Sequence, residues 1–422
     1  MPPKKEKEAE PTAVRFGRVK NNLKMGLVGL PNVGKSSLFN LLTKQAVAAE
    51  NYPFCTIDPA EAKCPVPDQR FQYLVDLWKP PSVIPGMLSV WDIAGLIKGA
   101  SEGAGLGNAF LSHIASVDGI FHVIRAFEDD AVVHVDDSVD PIRDLETIQH
   151  ELCLKDLQGL QQAVDRAKEA IRKEKGIARA GEVPLGESFV SAWNKCVKLL
   201  EDKTFIASGD FTNLEVDIIK HQFGGSLITT KPVIYIINLS KKDFIRKRNK
   251  WLGPIGTWVK EHGGGMCIPM SVEFEEELYA LRDLPDQAKQ FLDEATAEAE
   301  ALGLKGPNFV AKSGLPKIIK QGYKQLNLIN FLTAGEKEVR AWTVFAGAFA
   351  PQAAGVIHTD FERGFIKAEI CSFQDFKKLH NGEKSMAKLK DAGRYRQEGK
   401  SYVMEDGDIV NFQFNVTAAK KK

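Results

Sequence analysis

The stretch Gly29-Leu-Pro-Asn-Val-Gly-Lys-Ser36 fits the pattern G-x-x-x-x-G-K-[ST]. An apolar run, Leu23–Leu30, leads into it, and a helical run, Ser37–Leu42, leads out. Strand, glycine loop and helix in that order make a phosphate cradle. The glycines let backbone N–H groups turn inward, and the first turn of the new helix presents its positive end. Lys35 is placed to reach β- and γ-phosphates, and the Ser36 hydroxyl to ligate Mg²⁺. Asn32, Val33, Gly34, Lys35, Ser36 and Ser37 are therefore the expected phosphate-end residues.

A magnesium ion needs further oxygen ligands. Asp92 ends the apolar run Met87–Ile93 and opens D-x-x-G, so its carboxylate can hold the metal through water, while the Gly95 N–H can meet a γ-phosphate. Thr56, in Phe54-Cys-Thr-Ile-Asp58, stands in the position of a switch loop that adds a second hydroxyl. Ser36, Thr56 and Asp92 are the expected metal set. The glycines at 99, 103, 105 and 107, after D-x-x-G, predict a second switch over 96–107.

Further out, short apolar runs alternate with helical stretches, as in an α/β fold built on a mostly parallel sheet. Runs at 119–127, 232–239 and 266–270 suit strands buried on both faces. Residues 141–202 differ, with Leu145, Ile148, Leu152, Leu157, Leu160 and Val164 at helical spacing and helix breakers at Gly176, Gly181 and Pro184. This predicts an inserted helical hairpin, with two ordinary crossover helices as the alternative. Past about residue 320, aromatics, Gly-rich turns and short β-type runs predict a separate small α+β domain of the β-grasp kind, with a helix at Phe373–Leu379. The expected organisation is a mobile arm over 1–22, a nucleotide-binding domain over 23–285 with a helical insert at about 141–222, linker helices over 286–327, the C-terminal domain over 328–414 and a basic tail over 415–422.

Composition removes several classes. Lys+Arg 56 against Asp+Glu 55 leaves a net charge of +1, so no bulk basic field announces nucleic acid or an anionic membrane. No apolar run approaches the roughly 20 residues that span a bilayer. The start, Met1-Pro-Pro-Lys-Lys, is not a secretory signal. The six cysteines are scattered without a C-x-x-C pair, which fits a reducing, cytoplasmic setting.

Four strings narrow the reading: Gly29-Leu-Pro-Asn-Val-Gly-Lys-Ser-Ser37, Tyr52-Pro-Phe-Cys-Thr-Ile-Asp-Pro59, Asp92-Ile-Ala-Gly-Leu-Ile-Lys-Gly-Ala100 and Gly105-Leu-Gly-Asn-Ala-Phe110. Together they resemble the YchF subfamily of the Obg family of P-loop GTPases, the Obg-like ATPases. Phe331-Leu-Thr-Ala-Gly-Glu-Lys-Glu-Val-Arg-Ala-Trp342, Ala350-Pro-Gln-Ala-Ala-Gly355, His358-Thr-Asp-Phe361 and Glu405-Asp-Gly-Asp408 are similar to that subfamily's TGS domain. The resemblance implies a P-loop G domain, a coiled-coil insert and a TGS domain, and a regulatory nucleoside triphosphatase linked to translation or stress.

Guanine selection uses N-K-x-D, whose Asp accepts from guanine's donor edge. Here Asn238-Leu-Ser-Lys241 puts an ammonium, which has no acceptor, at the fourth position, where the subfamily usually has Glu. Asp243 comes two residues late, and a loop shift would be needed to restore it. ATP use is expected, with GTP open. Asn238 and Leu239 are expected to flank the base and Ser271-Val-Glu273 to close the other side. Leu96 replaces the water-orienting Gln that follows D-x-x-G in many related GTPases, so hydrolysis needs another device. Related enzymes with Asn at position 32 suggest a K⁺ ion there. His134 resembles the subfamily's catalytic-candidate histidine, whereas His122 lies in an apolar run and reads as core. The expected catalytic residues are thus His134, Lys35 and Asn32.

An activating protein, the ribosome or ribosomal RNA are the expected partners, with weak peripheral membrane contact through the basic tail left open. A nucleotide-gated RNA adaptor is the alternative function, resting on the TGS-like domain and on the basic run Lys241–Lys250. A metabolic kinase lacks any visible substrate-pocket motif.

Overall fold

The computed structural model describes residues 16–18, 20–47, 61–93, 112–129, 132, 138–175, 185–223, 227–304 and 310–415. Two compact units divide it. The first takes in residues up to 18, then 24–41 and 90–315; the second takes in 19–23, 42–89 and 316–422. The second unit thus crosses the expected 23–285 domain by including 42–89.

In chain order the elements to the end of the first unit are β1 (Lys24–Val28), α1 (Lys35–Val47), β2 (Glu61–Pro65), α2 (Gln69–Trp78), β3 (Ser82–Ile84), β4 (Met87–Asp92), β5 (Gly119–Arg125), α3 (Pro141–Lys175), α4 (Glu187–Glu201), α5 (Asn213–His221), β6 (Val233–Asn238), α6 (Lys241–Arg246), α7 (Leu252–Glu261), β7 (Met266–Met270), α8 (Val272–Ala280) and α9 (Pro285–Ala301). One six-stranded sheet has the order β2-β4-β1-β5-β6-β7. Its β1–β5, β5–β6 and β6–β7 pairs are parallel. Every residue of β5 is buried, as is β6 after its first residue. That is the cause of the unbroken apolar runs: both faces of these strands are covered.

The 35-residue α3 and the 15-residue α4 run antiparallel, because Gln149 near the start of α3 donates to the Lys203 carbonyl just beyond α4. Leu145, Ile148, Leu152, Leu160 and Val164 form the buried stripe of α3. A buried carboxylate fixes this insert to the sheet. Asp156 accepts from the amides of Ile228 (2.9 Å) and Thr229 (2.7 Å) and from the Thr229 hydroxyl (2.7 Å), just before β6. Burial pushes its carboxyl up to about 6 despite those donors.

The expected mobile arm is packed at its inner end. Phe16 is buried and meets the edge of the Phe211 ring at 5.8 Å, and Arg18 Nε donates to Asp118 at 2.5 Å. An aromatic anchor and an ion pair hold a segment that its charged composition had assigned to solvent.

The second unit continues with α10 (Leu315–Gln325), β8 (Leu328–Ala334), β9 (Glu338–Phe345), α11 (Ala350–Ile357), α12 (Thr359–Arg363), β10 (Phe365–Ser372), α13 (Phe373–Leu379), α14 (Ala387–Asp391), β11 (Arg396–Glu398) and β12 (Asp408–Phe414). Its sheet has the order β11-β10-β12-β8-β9-β3. β8 and β9 form an antiparallel hairpin, β12 runs parallel to β8, and α11 and α13 cover the sheet through the apolar clusters around Phe331 and Phe376. The sixth strand was not expected. Ser82–Ile84 pairs in parallel with Glu338–Arg340, and Phe71, Leu74 and Trp78 of α2 join the Phe376 cluster.

Candidate nucleotide site

The loop between β1 and α1 is shaped by close approach. A Cβ on Gly29 would stand 2.5 Å from the Val123 carbonyl oxygen. Gly34 has φ +97, and a Cβ there would lie 2.5 Å from Asn238 Nδ2. Both positions need glycine, one for space and one also for the left-handed backbone. Asn32 sits at φ 60, a conformation its short amide tolerates.

Lys35 is buried, and its ammonium donates to the Leu30 carbonyl at 2.6 Å. Burial lowers its pKa to about 8, with the Asp92 charge acting the other way. Ser36 Oγ lies 3.4 Å from Asp92 Oδ2. Burial raises the Asp92 carboxyl above its usual range, opposed by Lys35 and Ser36. A hydroxyl and a carboxylate therefore converge at the start of α1, beside the Lys35 ammonium. The two oxygen groups fit a hard divalent cation, and the ammonium fits the phosphate oxygens such an ion would share.

Asn238 ends β6 and is 3% exposed. Its Nδ2 donates to the Val33 carbonyl at 3.0 Å and its Oδ1 accepts from the Val272 amide at 3.1 Å. The Leu239 amide donates to the Met270 carbonyl at 2.8 Å. Ser271 is fully buried and caps α8, its Oγ accepting from the Phe274 amide at 3.3 Å. A cavity of about 810 Å³ opens here, lined by Asn32, Gly34 and Ser37 of the phosphate loop and by Asn238, Leu239 and Ser240. Phe127, Val132, Val272, Glu273 and Glu276 also line it. Val272 and Glu273 belong to the Ser271-Val-Glu273 stretch expected beside the base, whereas motif reading had not singled out Phe127, Val132 and Glu276. Phe127 carried a weak signal, being the last residue of the apolar run 119–127.

The Lys241 ammonium pairs with Glu277 and lies 4.7 Å from the centre of the Phe291 ring. The Asp243 carboxylate accepts from Asn249 Nδ2 at 2.7 Å, and Asp243 does not line the cavity. His122 is a core residue: burial, reinforced by Lys35, drives its pKa down to about 3, so it stays neutral. Thr56, Gly95, Leu96 and His134 lie outside the described residues.

Residues 24–156 match the family described as 50S ribosome-binding GTPase, and residues 328–415 match the YchF-GTPase C-terminal family, described as a protein of unknown function. The chain is 48% identical over 425 residues to "Obg-like ATPase 1" of Oryza sativa subsp. japonica and 46% identical over 429 residues to "Obg-like ATPase 1" of Homo sapiens, covering 100% of both chains in each case. A solved structure of the Schizosaccharomyces pombe YchF GTPase is 45% identical and superposes with a TM-score of 0.77, covering 94% of this chain and 99% of that one. The chain belongs to the YchF family of Obg-like ATPases.

This YchF-family chain is accordingly a P-loop nucleoside triphosphatase with a G domain and the family's C-terminal domain. Among the described residues, no helix is long and apolar enough to cross a membrane.

Proposed function

We propose that this chain hydrolyses ATP, and GTP as a second substrate, to the diphosphate and phosphate, and that it serves as a cytoplasmic translation- or stress-linked switch. The carrying observation is at the fourth position of Asn238-Leu-Ser-Lys241. The side chain at that position offers no acceptor, its ammonium is drawn to Glu277, and Asp243 is engaged by Asn249. A site without that acceptor loses about 10⁴-fold of discrimination for guanine. The relatives named Obg-like ATPase support the same choice.

Asn32, Val33, Gly34, Lys35, Ser36, Ser37 and Gly95 would bind the phosphates, and Asn238, Leu239 and Ser271 would frame the base. Ser36, Thr56 and Asp92 would hold Mg²⁺. Bound there, the ion would neutralise charge on the β- and γ-phosphates. Lys35 would hold the γ-phosphate with its ammonium. With Leu96 unable to align water, a K⁺ ion at Asn32 and His134 are the proposed aids, with an activating protein or the ribosome as the source in trans.

The match to a family described as ribosome-binding supports the ribosome or ribosomal RNA as partner. The adaptor alternative loses support at the run 241–250. Lys241 is paired with Glu277, Arg246 with Glu298 and Lys250 with Glu128, so three of the run's six cations are already met by carboxylates and its positive field is reduced. Calorimetric affinities of the full chain for ATP, GTP and their diphosphates with Mg²⁺, in K⁺ and in Na⁺, test the proposal. ATP affinity equal to or above that for GTP is expected; a thousandfold preference for GTP would overturn it.

A further inference from the structure

Phosphate-end residues fix the direction of a nucleotide in the cavity. Gly34 and Ser37 mark where the phosphates enter, so the base must lie toward Leu239, Ser240 and the first turn of α8. A base lying there meets a wall whose usual acceptor is gone. Yet a carboxylate stands in the same place, delivered by another element. Glu273 lines the cavity, and its Oε2 accepts from the Lys241 backbone amide at 3.0 Å. The residue that lacks the acceptor thus holds a borrowed one by its own N–H. Among the described residues, Glu273 Oε1 has no hydrogen-bond partner.

Neighbouring carboxylates are less well placed. Glu128 is paired with Lys250 at 2.7 Å, and Glu277 is taken by the Lys241 ammonium. Glu276 also lines the cavity but is three residues further along α8 and is not anchored to the 238–241 segment.

We infer that Glu273 is the base-reading residue of this site and that it selects for a 6-amino purine. The inference rests on the nucleotide-site reading proposed above. Its chemistry follows from which oxygen is available. With Oε2 held by a backbone amide, Oε1 offers a single acceptor to the cavity. One acceptor matches the single exocyclic amine of adenine. Guanine wants two parallel acceptors for its N1–H and 2-amino group, and it presents at position 6 a carbonyl oxygen, which a carboxylate repels. Glu273 is exposed at the cavity mouth, so the contact competes with water and lies at the low end for a charged hydrogen bond.

The test uses the full chain with Mg²⁺ and non-hydrolysable triphosphates of adenosine, guanosine and purine riboside, which lacks the 6-amino group. The wild type should bind the purine riboside analogue about tenfold more weakly than the adenosine analogue, which is about 1.4 kcal/mol. Glu273→Ala should bind the two alike. Glu273→Gln keeps the shape, accepts from Lys241 N with its carbonyl oxygen and turns an N–H donor into the cavity. Its preference should move toward guanosine by about tenfold or more. A purine riboside discrimination that is the same in wild type and Glu273→Ala, or an unchanged adenosine-to-guanosine ratio in Glu273→Gln, would overturn the role of Glu273 while leaving the nucleotide site standing. Failure of the wild type to bind any of the three would overturn both.

Discussion

Asn238 donates to the carbonyl of Val33 across 205 residues of sequence, at 3.0 Å. Its other amide atom accepts from the Val272 N–H, so one buried side chain ties the phosphate loop to the strand end and to α8. The phosphate loop, the end of β6 and the start of α8, all of which line the cavity, are therefore one hydrogen-bonded body.

Asn238→Asp keeps the acceptor for Val272 and removes the donor to Val33, leaving a carboxylate oxygen facing a carbonyl. The loss should be about 1–3 kcal/mol of stability, the cost of an unsatisfied buried group. Triphosphate affinity should fall with it. Urea unfolding and calorimetry on the same preparation check both, and unchanged values in each would remove the brace.

Lys35→Ala and Ser36→Ala should each weaken Mg²⁺-triphosphate binding by about a hundredfold or more, since each deletes a charge-assisted or metal-directed contact. Lys35→Ala should leave the unfolding midpoint unchanged or slightly higher, because a buried cation is removed. Unchanged triphosphate affinity in both variants would reject the phosphate assignment.

The depressed Lys35 pKa sets a pH window. Its folded value of about 8 lies below the ordinary lysine value of 10.5, so the unfolded chain holds the extra proton between those limits. This group's contribution to stability therefore increases as pH rises from about 8 toward 10.5. Phosphate binding runs the opposite way, since it needs the ammonium. Between pH 7 and 9.5, triphosphate affinity should fall in the wild type and stay flat in Lys35→Ala. Parallel pH profiles for the two proteins would contradict the assignment.

Turnover should be faster in K⁺ than in Na⁺. Asn32→Gly should erase that difference without straining the backbone, because glycine accepts the φ of 60. His134→Ala should lower kcat with little change in nucleotide affinity, as befits a group that acts in the transition state. Single-turnover rates decide each point separately: equal wild-type rates in the two salts dismiss the cation, and a wild-type rate for His134→Ala dismisses the histidine.

The phosphate loop was legible because its physics is local: a strand, two special glycines and a helix start within about a dozen residues. The α3–α4 hairpin was legible because a long apolar stripe broken by Gly and Pro has few other readings. Glu273 was legible as part of the Ser271-Val-Glu273 wall beside the base, but not as the acceptor that reads it. It sits in Val-Glu-Phe-Glu-Glu-Glu, where nothing along the chain distinguishes one carboxylate from the next, and its partner amide is 32 residues away. Strand β3 was hidden for a similar reason. Pro80, Pro81 and Pro85 bracket Ser82–Ile84 and make it look like a loop, as prolines confine a strand to an edge. Only its pairing with β9 reveals it.

That edge strand has a bearing on how the chain is made. Ser82 Oγ donates to Glu338 at 3.3 Å across 256 residues. At 5–20 residues per second, a ribosome would need about 13 to 50 seconds to deliver the second partner after the first. Throughout that interval the apolar faces of Phe71, Leu74 and Trp78 have no Phe376 cluster to enter. The α2–β3 segment thus waits for a sheet synthesised long after it, and a nascent chain stalled short of β9 would carry exposed aromatic surface for chaperones to cover. Residues 328–415 expressed alone would lack α2 and β3 and show a bare β9 edge, prone to pairing with other copies.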